Sequence, residues 1–95
     1  MINPTAEFFE SLIGQDLKVA GANGAELWRV VSVTRHRAHA LRSDQPFNLY
    51  FDAPASNDRK QGIRSCVLPG GETMDLFVVP IAATADAVSF ETVFN

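Results

Sequence analysis

Four consecutive apolar residues, Leu76, Phe77, Val78 and Val79, stand between Asp75 and Pro80. In an extended chain successive side chains point to opposite faces, so a strand built on this run is apolar on both sides. Each side must then be covered, or one stays bare. Pro80 has no amide to donate, so the strand must end, bulge or lie at an edge there. Any fold for this chain has to answer both demands.

The flanking segments supply partners of the same kind. Val88, Phe90, Thr92 and Phe94 alternate with their neighbours, as do Phe47, Leu49 and Phe51 with Asn48, Tyr50 and Asp52. Glu26 to Arg35 is rich in β-branched residues, with Leu27, Val31 and Val33 on one face and Trp28, Val30, Ser32 and Thr34 on the other. Pro69-Gly70-Gly71 and Gly21-Ala22-Asn23-Gly24 are turn sequences. Ahead of the strands, Asn3 and Thr5 are good helix caps, Phe8, Phe9, Leu12 and Ile13 fall at helical spacing, and Gly14 is a stop. The patterns predict a helix over 5–13 and strands over 15–20, 26–35, 46–52, 61–68, 73–81 and 87–94.

About six antiparallel strands without βαβ alternation predict a mainly β domain, a small barrel or barrel-like sandwich, with a barrel-like meander favoured. The short helix is marginal alone and must dock its phenylalanines on a sheet face or a barrel opening. Phe8, Phe9 and Leu12 are candidates to cover one face of the strand around Phe77, with Phe90 and Phe94 flanking it. A hollow barrel would hold a ligand, whereas Phe47, Phe51, Phe77 and Phe90 turned inward would fill it.

With 95 residues the chain is one domain, 1–95. Its 46% hydrophobic and 20% charged residues are those of an ordinary globular domain. A net charge of -3 argues against a general nucleic-acid binder. The lone Cys66 permits no internal disulfide, and Glu7 and Glu10 stand where a signal peptide would be apolar, so a cytoplasmic protein is expected. No apolar run approaches the ~20 residues of a membrane span.

The most distinctive polar stretch is Arg35-His36-Arg37-Ala38-His39-Ala40-Leu41-Arg42. It holds three of the 8 cations, leaving 5 against 11 acids, or -6, elsewhere. Arg35, His36, Arg37, His39 and Arg42 are candidates for contact with a carboxylate or phosphate, and Trp28 and Tyr50 for the aromatic side of such a surface. His36-x-x-His39 with Asp44 is too sparse for a metal site, so no metal or cofactor is expected. Cys66 sits between Ser65 and Val67 like a packed small hydrophobe, and Asp75 near the Gly70-Gly71 turn reads as solvated. No catalytic residues are assigned.

Several blocks together resemble a family of small bacterial domains of unknown function. They are Phe8-Phe9 with Leu12 and Gly14, Phe47-Asn48-Leu49-Tyr50-Phe51, Gln61-Gly62, Leu76-Phe77-Val78-Val79-Pro80 and Phe90-Glu91-Thr92-Val93-Phe94-Asn95. Phe90, where the family pattern has tyrosine, and Ile63-Arg64 depart from it. The resemblance implies a compact β-rich domain and an association with phage-tail-like or collar-type proteins, and it transfers no catalytic residue.

Together these features favour a non-enzymatic structural or interaction module with a protein partner or self-association. The alternative is a small barrel binding an anionic ligand near Trp28, Tyr50 and the Arg35 to Arg42 loop. A third reading, a hydrolase or transferase, would have to rest on Cys66, His36, His39 and Asp75.

Overall fold

The computed structural model describes residues 5–21, 24–36 and 46–94. One helix, α1 (Ala6–Glu10), precedes β1 (Asp16–Gly21), β2 (Gly24–Arg35), β3 (Phe47–Pro54), β4 (Gly62–Val67), β5 (Thr73–Ala83) and β6 (Ala87–Phe94). The strands close into an antiparallel barrel in the order β1-β2-β3-β6-β5-β4.

The fold is therefore a barrel and not a sandwich, and its order departs from the expected meander. Two three-strand meanders are joined because residues 55–61 carry the chain from β3 to β4, leaving β6 to pair with β3. That pairing is the longest register, eight pairs from Phe47↔Phe94 to Pro54↔Ala87. Among the described residues the closing seam between β1 and β4 is the shortest, with two pairs, Lys18↔Val67 and Val19↔Cys66.

The alternating residues point where their pattern requires. Phe47, Leu49, Phe51 and Ala53 of β3, Val88, Phe90 and Thr92 of β6, and Leu76 and Val78 of β5 are buried. Two bulges interrupt the ladders, and the first corrects an expected face. In β2 the register shifts between Val30 and Ser32, so Val31 is the extra residue. Val33 thereby joins Trp28 and Val30 at the core instead of sharing the face of Leu27 and Val31, which are exposed. In β5 the shift falls between Pro80 and Ala82, which absorbs the missing amide of Pro80 and lets the strand run on to Ala83.

The helix is shorter than expected, and of the two seats expected for it, a sheet face or a barrel opening, it takes the opening. Thr5 Oγ1 accepts from the Phe8 amide at 3.1 Å, Glu7 lies in the first turn, and regular helix stops at Glu10. Tighter bonds then take over, with the Leu12 amide donating to Phe9 O and the Ile13 amide to Glu10 O. Gly14, at φ +90, turns the chain so that its amide donates to Val30 O at 2.8 Å. Asn3 and Pro4 lie outside the described residues.

Docking seats Phe9 on one end of the barrel, its ring 6.0 Å from Phe47 and 5.5 Å from Phe94, which themselves stack at 4.5 Å. The helix thus closes an opening and does not cover the outer face of β5. Phe77, expected inside if the barrel were filled by phenylalanines, is 53% exposed because it has the opposite parity to Leu76 and Val78.

These positions give opposite expectations for two phenylalanines. Phe9→Ala should destabilise the domain by about 3–5 kcal/mol through the lost burial and the cavity left behind. Phe77→Ala should cost less than about 1 kcal/mol, the scale of one cross-strand pair. Urea denaturation of the two variants measures the difference.

Candidate interaction surface

The polar stretch singled out in the sequence is only partly within the described residues. Arg37, His39 and Arg42 lie outside them. Arg35, at the end of β2, donates from Nε to Glu10 Oε2 at 3.0 Å, tying the strand to the helix. That hydrogen bond holds the Glu10 carboxyl below its usual range and raises Arg35. His36 is exposed, its amide donating to Pro46 O.

The two aromatic candidates do not meet. Trp28 is 0% exposed within the barrel, stacked on Phe90 at 4.4 Å and edge-on to Phe51 at 5.7 Å. Tyr50 is on the outer face of β3, its hydroxyl accepting from Asn48 Nδ2 at 3.4 Å. A ligand mouth shared by these two rings is not what the barrel wall forms. Cys66 also points inward and is fully buried. Burial pushes its thiol up to about 11, away from the thiolate a nucleophile requires. Asp75 is exposed on the outer face of β5, so the two are on opposite sides of the wall.

The end of the barrel opposite the helix holds residues that the sequence reading passed over. Arg64 faces inward on β4 with a side chain only 10% exposed. Its guanidinium lies 5.4 Å from the Trp28 ring centroid and 5.6 Å from that of Phe90, a cation–π contact with both. Nη2 donates to Asp58 Oδ1 at 2.6 Å and Lys60 O at 3.0 Å, and Nη1 to Ala20 O at 3.2 Å. Glu26 completes the cap by accepting from Trp28 Nε1 at 3.0 Å and from Asn57 Nδ2 at 2.7 Å. Asn57 Oδ1 in turn accepts from the Arg59 amide at 2.7 Å. The 55–61 connection is thereby bound across the opening it traverses. One signal was available in the sequence: Arg64 shares the parity of Cys66 and Leu68, the apolar face of its strand.

The outer wall carries the apolar surplus. Ile63 of β4, 71% exposed, lies directly opposite Phe77 of β5 in the register. Val79, two residues on, faces Glu91 of β6, with exposed Val93 on the adjoining diagonal. Ile81, of the same parity as Phe77 and Val79, extends the row. Among the described residues no group of three or more His, Cys, Asp or Glu is placed to hold a metal, and no helix is long and apolar enough to cross a membrane.

A family model described as a domain of unknown function, DUF6916, matches residues 4–94, and the chain belongs to that family. No curated protein and no solved structure matches the chain.

The polar cap should be sensitive to both its cation and its acid. Arg64→Met, which keeps the apolar stem but loses the charge-assisted bonds, should cost at least about 1.5–3 kcal/mol in urea unfolding. The hydrogen bond from Arg64, helped by the Lys60 amide, lowers Asp58 below its ordinary value. Its contribution is therefore complete above the ordinary carboxylate range and is lost as pH falls through the lowered value. Asp58→Asn should flatten the acid limb of a stability-against-pH curve. Separately, Cys66 should react with a thiol reagent at pH 8 far more slowly in the native chain than in urea.

Proposed function

We propose that this member of the family is a non-enzymatic structural or protein-interaction module that docks a partner protein on the outer face of β4, β5 and β6. The reading rests on the pairing of Phe77 with Ile63, both exposed and in register. The element free to cover that face, the helix, is committed to the barrel end by Phe9. An apolar row on a charged surface is stable in water as single residues but favours burial when a complementary surface is offered. On the association implied by the resemblance, the partner is a component of a phage-tail-like assembly in which this domain is an accessory part.

A benzophenone amino acid placed at Phe77 tests this in the source cell. One discrete adduct from that position, absent from the same probe at Arg29 on the outer face of β2, is expected. Phe77→Asp should abolish partner recovery while lowering the melting temperature by no more than about 8 °C, the shift that about 1 kcal/mol makes in a domain of this size. Equal labelling from both positions, or none from Phe77, would overturn the proposal.

A further inference from the structure

We infer that the splayed seam between β1 and β4 receives a short extended segment of a partner protein, alternately apolar and acidic, by strand addition. The inference rests on the interaction reading above and names the chemistry of what binds.

The barrel is least closed here. β1 and β4 share the two pairs at Lys18 and Val19, whereas β1 and β2 share six, as do β4 and β5. Continued past Val19, the register would set Ala20 against Ser65 and Gly21 against Arg64, but no such pairs form. The strands diverge instead around a groove of about 360 Å³ lined by Ala20, Gly21, Lys60, Gly62, Ile63 and Ser65 among others. The Arg64 guanidinium, donating to Ala20 O, stands where a ladder bond would be.

Such a groove asks for a backbone. Among the described residues, 62–65 are laddered to β5 on one side and to nothing on the other, which leaves one edge of the strand as a template for main-chain pairing. Four residues of edge span ~14 Å, enough for a short extended peptide. Ile63 projects outward beside the groove and continues into the Phe77 row, so an apolar residue of the incoming segment at that register extends buried apolar surface across three strands.

Charge sets the rest of the pattern. Lys60 on the 55–61 connection lines the groove, Lys18 stands two residues before Ala20 on the same exposed face of β1, and neither forms an ion pair among the described residues. Asp58, the acid in the lining, is already held by Arg64. Two unpaired cations beside an open edge, on a chain of net charge -3, favour acidic side chains on the incoming strand.

Selection of a displayed random heptapeptide library on the full chain, followed by amide NMR with the selected peptides, tests the inference. The expected peptides alternate β-branched with acidic residues and shift the amides of residues 20–21 and 62–65. N-methylation of alternate peptide amides should weaken binding by about tenfold or more, because it removes ladder bonds and spares side chains. Ser65→Trp, an exposed position that fills the groove, should block binding with the melting temperature retained. Peptides that perturb Phe77 and Val93 but tolerate N-methylation and leave residues 62–65 unmoved would overturn strand addition while sustaining the interaction face. Failure to select any peptide, together with no adduct from Phe77, would overturn both.

Discussion

A six-stranded barrel of this size has room for one interleaved set of side chains, so the structure depends on what the strands send inward. Here that is a column of rings. Phe9, Phe47 and Phe94 close one end, Trp28, Phe51 and Phe90 meet within, and the Arg64 guanidinium lies against Trp28 and Phe90. The cation is tolerated at such depth because its outer nitrogens are given to Asp58, Lys60 O and Ala20 O, while its face is given to aromatic π-density. Each end therefore has its own lid, a helix at one and a hydrogen-bonded connection at the other.

The outside follows from this filling. Because the helix is needed as a lid, it cannot also shield β5, and the second apolar face of Leu76 to Val79 is left with Ile63 as its neighbour. Beyond Cys66 the ladder between β4 and β1 stops, and Arg64 spans the gap from the 55–61 connection to Ala20 O. The bare face and the open seam adjoin at Ile63. Their adjacency is what turns scattered surface hydrophobes into one surface of mixed backbone and apolar character.

Much of this was legible in the residues. Period-two alternation in Phe47 to Phe51 and Val88 to Phe94 placed those strands and their inner faces, because each side chain there obeys a simple parity. Pro80 announced an end, a bulge or an edge through its missing amide, and the bulge is what forms. Val31 gave no such signal, since nothing distinguishes one valine among several as the extra residue, and the faces of β2 beyond it were consequently exchanged. The helix is legible with two seats, a sheet face or a barrel opening, and the choice of the opening depends on where Phe47 and Phe94 converge in three dimensions. The basic stretch drew attention by composition, yet Arg35 serves the helix and Trp28 the core. Arg64 stands out in the sequence only as a departure from the family pattern, because an isolated arginine reads as surface unless parity is weighed above polarity.

The central physical claim is that the barrel is held at the β3–β6 register and slack at the β1–β4 seam. Native-state hydrogen exchange of the free chain measures this residue by residue. Slowest exchange is expected among Leu49 to Ala53 and Val88 to Thr92, with the seam-facing amides among residues 20–21 and 62–65 exchanging fastest of all strand positions. Protection as high across the seam as between β3 and β6 would mean a fully laddered barrel, and would contradict both the open groove and the docking edge built on it.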